Sequence, residues 1–180
     1  MSNSQASKSV KVMEKYFFRA SPADFAKIPG NPIAYWLPQQ GIDAFSSERL
    51  EEIGKTRRGL QTGAKDRFIR CWHECSRDSS EMRYLPRNEA VESNAKWFMF
   101  NNGGDFKKWY GNLDLVVNWA DNGKEIKEFE GSIIPSEDLY FQGAVSWPRL
   151  TSGEIAFKLH PEGVIPGDLS PCYYSERTLT

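Results

Sequence analysis

The chain is 180 residues long, 39% hydrophobic and 26% charged, with a formal net charge of -1; this is enough chain for one main core, and wholesale disorder is excluded. No run approaches the roughly 18 consecutive apolar residues of a membrane span, and the polar start Met1 to Val10 lacks the apolar stretch of a signal peptide, so a cytoplasmic protein with no membrane partner is expected. Three cysteines without regular spacing argue against a disulfide framework and predict free thiols.

In chain order, Val12, Met13 and Tyr16 to Phe18 recur at helical spacing and predict a connecting helix. Ser21-Pro22-Ala23-Asp24 is a helix start, with a hydroxyl for orphan amides and a proline where no donor is needed; Pro29-Gly30-Asn31-Pro32 stops that helix. Ser46 or Ser47 predicts the cap of another helix through Ile53, ending at Gly54. From Asp66 to Glu74 the residues alternate in the manner of a strand, and further strands are predicted at 96–101, 113–119, 144–147 and 154–159. Between them, 86–94 and 123–129 read as helices. The fold class is α+β: a helical lead-in, residues 1–54, followed by a mainly β body, residues 55–180.

The near-zero net charge conceals a dipolar chain. Residues 1–54 are balanced, residues 55–110 carry twelve basic against seven acidic groups, and residues 111–140 carry two against seven. The basic block is the candidate anion-binding face.

Two segments of that block carry chemistry. Gly59-Leu60-Gln61-Thr62-Gly63 is a tight loop opening the β body, able to bring backbone amides close to a phosphate, and Arg57, Arg58, Lys65 and Arg67 surround it. The second runs from Lys96 to Asn112. There Asn101 and Asn102 offer amides suited to adenine edges, Lys107 and Lys108 neutralise phosphate, and Tyr110 offers a stacking ring. Trp97, Phe98, Phe100 and Trp109 of the same run read as core.

Other patterns are weaker. Gly54-Lys55-Thr56 resembles the end of a phosphate-binding loop, but Arg49 stands where that motif needs glycine. Cys71, His73 and Cys75, with Cys172 or His160, match no common zinc spacing and read as ordinary strand residues. Asp114 with Glu125 and Lys127 resembles a nuclease metal cluster, yet a solvated helix face accounts for it. Glu137 to Gly143 matches the recognition sequence of a viral protease used to remove tags; lying mid-chain, it reads as natural sequence.

The order of Lys27 to Trp36, Arg57 to Gly63 with Arg67-Phe68, Lys96 to Asn112 and Val116 to Trp119 resembles the PglX family, the adenine-specific DNA methyltransferases of BREX phage-exclusion systems, related to type IIG restriction-modification enzymes. The resemblance spans about residues 16–165, and Gly103-Gly104-x-Phe106-x-x-Trp109-Tyr110-Gly111-Asn112 is its specific block. It implies that residues 1–54 are a connector and residues 55–180 part of a DNA target-recognition domain, with double-stranded DNA and other defence-system subunits as partners. The family's chemistry uses S-adenosylmethionine and an Asn/Asp-Pro-Pro-aromatic motif that holds a flipped adenine. This sequence has no adjacent prolines and no Gly-x-Gly, so it is expected to bind no cofactor and to transfer no methyl group alone. The rival reading is a protein-interaction module or remnant that does not read DNA, partly favoured by the acidic segment 111–140. An independent enzyme rests only on the nuclease-like cluster.

Overall fold

The computed structural model describes residues 17, 18 and 20–177, so most of the predicted connecting helix lies outside the described residues. The chain divides into two compact units, Met1–Glu52 and Ile53–Thr180.

In the first unit, Ser21 caps the helix Pro22–Phe25 by accepting the Ala23 amide at 3.3 Å, as its hydroxyl predicts. A second helix, Gln39–Ala44, supplies Ile42 to a small cluster with Ile28, Ala34 and Leu37. The helix expected from Ser46 is shortened to Leu50–Ile53.

The second unit is built on two sheets. The first has the antiparallel order β1 (Gly54–Arg57), β9 (Cys172–Ser175), β6 (Ala144–Ser146), β7 (Lys158–His160). The second has the order β2 (Ile69–Cys71), β5 (Leu115–Asn118), β4 (Trp97–Asn101), β3 (Ser80–Glu81); β8 (Ile165–Pro166) lies beside the far half of β4. β2, β5 and β4 are antiparallel neighbours, whereas β3 and β8 each pair with β4 in parallel. Helices Arg87–Glu92 and Ala120–Lys127 complete an α+β fold. Among the described residues no helix is long and apolar enough to cross a membrane.

The alternation from Asp66 to Glu74 does not form one strand. It divides into a helical turn Lys65–Phe68, the short β2, and a 3-10 turn Trp72–Glu74. Phe68 is wholly buried against Phe129, and the Glu74 carboxylate folds back to accept the Cys71 amide at 2.7 Å, so local hydrogen bonding ends the strand. β7 begins at Lys158, four residues later than the expected strand start at Glu154, and β1, β3, β8 and β9 are strands that the sequence pattern does not announce.

The main core packs Phe98, Phe100 and Val117 of the second sheet against Trp119, Ile126, Tyr140 and Phe141. Phe98 meets Phe141 edge-on at 5.8 Å, and Trp119 lies 5.4 Å from Tyr140. The protease-like run at Glu137 to Gly143 thus contributes two buried aromatic rings to the interior. Each buried ring stabilises by about 1.5–3 kcal/mol.

Where the sheets meet, polar groups enter the interior. Asn101, at the end of β4, donates its amide nitrogen to Ser146 Oγ at 3.2 Å and to His160 Nδ1 at 3.1 Å. With Nδ1 accepting, the His160 proton resides on Nε2 and is donated to the Val164 carbonyl at 3.0 Å, which requires the neutral ring. Burial pushes the His160 pKa down to about 4. The unfolded chain therefore takes up a proton in a pH range where the folded chain does not, and stability present above pH 6.5 is lost as pH falls toward 4. The loss across that window is expected to be about 3 kcal/mol. Denaturant unfolding at a series of pH values checks it: the His160→Gln variant should lose this part of the pH dependence, and an unchanged profile would mean that His160 is not held neutral.

Candidate nucleic-acid interface

The connection from β4 to β5, residues 102–114, is long for a hairpin, and loops of this length are commonly functional or disordered. This one is fastened at both ends and in the middle. Gly104 has φ 120 and sits against the Asn112 side chain, where any Cβ would be both strained and crowded. Asn112 in turn donates from Nδ2 to the Asp105 carbonyl at 2.7 Å. Midway, Trp109 bonds to β7 twice, donating its amide to the Phe157 carbonyl at 3.3 Å and accepting from the Leu159 amide at 2.8 Å.

That attachment extends the first sheet by one residue. The pairings Arg57 with Cys172, Cys172 with Ser146, Ser146 with Lys158 and Lys158 with Trp109 make one cross-strand row. Cys172, Ser146 and Lys158 are buried, whereas Arg57 and Trp109 at the two ends are exposed. Strands lie about 4.8 Å apart, so the ends are roughly 19 Å from each other. Arg57 and Trp109 therefore stand at opposite edges of one sheet.

Trp109 is not core. It is 72% exposed and adopts φ 70, a left-handed conformation that is a true outlier for a bulky side chain. Lys107 and Lys108 precede it, both exposed; Lys108 lies 5.4 Å from the Phe106 ring centroid and 3.7 Å from a Glu154 oxygen. Tyr110 is half exposed, and its hydroxyl is hydrogen-bonded to Tyr84, whose phenol is pushed up to about 12 by burial and by this neighbour. Lys158, inside the row, is pushed below the usual lysine range by desolvation and by the Lys107 charge.

Near β1 the basic groups divide by partner. Arg58 is spent on Asp168, which Arg149 also grips at 2.8 Å, and on the Gln61 side-chain oxygen Oε1. Arg67 donates to Glu125 at 2.6 and 3.0 Å and lies over the Phe68 and Phe129 rings. Glu125 is held below the usual carboxylate range, first by the Arg67 bond. Among the described residues the Arg57 side chain bonds only to the Thr56 carbonyl, and Lys65 is exposed beside a cleft.

That cleft, about 340 Å³, is lined by the Gly59–Gly63 loop together with Lys65, Asn102 and Asp168. The loop enters it because Gly59 runs against the Pro166 carbonyl, closer than any Cβ allows. Its Leu60 and Gln61 amides are taken by Pro166 and Ile133 carbonyls, so these two are not offered to a phosphate. Asn102 is half buried, and its Oδ1 accepts the Leu169 amide in a long bond of 3.5 Å. With the Gln61 and Asn102 oxygens engaged, these two side chains and Lys65 present nitrogen donors to the cleft, beside the Asp168 carboxylate, which is paired with Arg58 and Arg149.

Asn101 requires a correction: expected to touch a base edge, it is 1% exposed and its amide joins the two sheets. Of the other expected contact residues, Arg57, Lys65, Lys107, Lys108 and Tyr110 lie on the surface, while Arg58 and Arg67 also lie there but are paired with carboxylates. The zinc-like residues are dispersed: His160 uses both ring nitrogens internally, and burial pushes the Cys172 thiol up to about 12. Lys127 is paired with Glu137 at 2.9 Å.

Left-handed strain at a bulky residue costs on the order of 1–3 kcal/mol, and asparagine tolerates that region. Trp109→Asn is accordingly expected to raise the unfolding free energy by about 1 kcal/mol. Denaturant titration checks it, and a clear loss of stability would show that the indole packs rather than projects.

No family model matches the chain. It is similar to the adenine-specific methyltransferase PglX of Lacticaseibacillus casei (strain Zhang), at 33% identity over 159 residues, covering 83% of this chain and 13% of that protein. It is also similar to the adenine-specific methyltransferase BrxX of Escherichia coli O9:H4 (strain HS), at 32% identity over 144 residues, covering 79% of this chain and 11% of that protein. The chain thus spans about an eighth of the length of these relatives.

Proposed function

This chain belongs to the PglX and BrxX family of adenine-specific methyltransferases as a segment of it, and we propose that it is part of the region that recognises target DNA. In this reading methyl transfer, with S-adenosylmethionine, belongs to parts of the enzyme outside the matched segment. The observation that carries the reading is the β4–β5 loop, which presents exposed Lys107 and Lys108 beside a rigidly held, exposed aromatic residue. Phosphate neutralisation needs cations that are not already committed to carboxylates, and Lys107, Arg57 and Lys65 have no carboxylate within salt-bridge distance among the described residues. Arg58 and Arg67 contribute less, because a phosphate must compete with Asp168 and Glu125 for them.

A second reading has its own observation. Ile155, Phe157 and Leu159 are about half exposed around β7, which favours a protein partner.

Binding of mixed-sequence duplex DNA by the whole chain, measured across salt concentrations, tests the proposal. Replacing Lys107 and Lys108 by Ala is expected to weaken binding on all sequences and to flatten the plot of log affinity against log salt by about one to two units. Lys124→Ala, on the exposed face of the Ala120–Lys127 helix, is the control and should leave the slope unchanged. Equal effects of the two changes, or no DNA binding by folded chain, would favour the protein-partner reading.

A further inference from the structure

Trp109 is exposed, strained and pinned, and no contact among the described residues accounts for all three. Its backbone is fixed to β7 by two hydrogen bonds, while its bridge partner Lys158 on that strand is buried. The left-handed conformation at φ 70 keeps the indole 72% exposed at the sheet edge. Among the described residues, Trp109 takes part in no ring-ring contact and no cation-π contact, unlike Trp36, Trp72, Trp97, Trp119 and Trp147. Lys107 and Lys108, both exposed, immediately precede it in the chain. The chemistry that matches a bare indole next to two exposed cations is a flat aromatic group attached to an anion, as in a nucleotide.

Resting on the DNA-binding reading, we infer that Trp109 is a stacking residue: its indole packs on the face of a base at an opened or unstacked step of duplex DNA while Lys107 and Lys108 hold the flanking phosphates. A base in an intact duplex has both faces covered, so the contact requires unstacking, which costs a few kcal/mol per step. With the backbone already fixed, insertion orders only the side-chain torsions of the indole. Stacking on a base face is blind to sequence and nearly blind to salt, whereas the lysine contacts are salt-dependent. The two contributions are therefore separable.

The test compares the whole chain's affinity for two duplexes of the same mixed sequence, one intact and one with a single abasic position, where the unstacking cost is already met. The wild-type chain should prefer the abasic duplex by about fivefold or more, as one base-aromatic stack allows. Trp109→Ala should remove that preference and leave the salt slope unchanged, and Trp109→Tyr should retain most of it. Circular dichroism and thermal melting establish that each variant is folded. If the wild-type chain binds with the expected salt slope but shows equal affinity for both duplexes, or if Trp109→Ala keeps the preference, the stacking role is overturned and the DNA-binding reading stands. If the folded chain binds neither duplex, both are overturned.

Discussion

One buried carboxamide determines how the second unit is arranged. Asn101 ends β4 in the second sheet and donates its side-chain nitrogen to Ser146 and His160 in the first, while its backbone carbonyl accepts the Gly167 amide just beyond β8 at 2.7 Å; its side-chain oxygen is buried without a partner among the described residues. An amide so deep in the interior would be costly without partners, and the cost of losing any one of them is what makes the joint specific. The neutral tautomer of His160 follows from it, since a doubly protonated ring has no lone pair for Asn101. The placement of the candidate interface follows as well. The chain leaves the interior at Asn102, makes its loop, and touches the first sheet again at Trp109, so the loop is tied at its root and its middle to two different sheets.

This double attachment explains how an aromatic residue can remain outside. A large side chain on an unfastened loop lowers its free energy by folding back onto apolar surface, and Phe157 and Leu159 provide such surface nearby. Two backbone hydrogen bonds fix the loop against β7, and the left-handed dihedral at Trp109 gives the side chain no easy return. The strain is maintained because the surrounding loop, with Gly104 and Asn112 locked together, leaves the backbone no alternative.

The sequence makes the centre of the fold legible and its edges obscure. β4 and β5 are recognisable because Trp97 to Phe100 and Leu115 to Val117 are unbroken apolar runs rich in aromatic and β-branched residues. β8 is hidden because the three residues between Gly163 and Gly167, one of them proline, look like a turn; only Phe100 and Asn101 across the sheet make Ile165-Pro166 a strand. Asn101 and Asn102 are indistinguishable by composition, yet successive residues of a strand face opposite ways, and one amide lies inside while the other lines the cleft. Trp109 reads as core for the sound reason that indoles usually are. Its exposure depends on a backbone angle that no residue type announces. Arg58 and Arg67 were expected as contact residues on charge alone, and their carboxylate partners, Asp168 and Glu125, lie 110 and 58 positions away in sequence.

If the unit contacts DNA, its two edges cannot perform the same task. The Trp109 edge offers a stacking ring and cations, neither of which distinguishes one base from another. Discrimination then falls to groups that can exchange hydrogen bonds with base edges, and the cleft beside Lys65 holds them. Bidentate recognition of adenine by Asn needs its oxygen as an acceptor for N6 and its nitrogen as a donor to N7. At Asn102 the oxygen already takes the Leu169 amide, and at Gln61 it takes Arg58. The nitrogens these two side chains have left are donors, better matched to guanine N7 and O6 or to phosphate oxygens than to adenine. Adenine specificity in such an enzyme would then be a property of the pocket that holds the flipped base for reaction, and the sequence context around that base would be read separately, by donors of this kind.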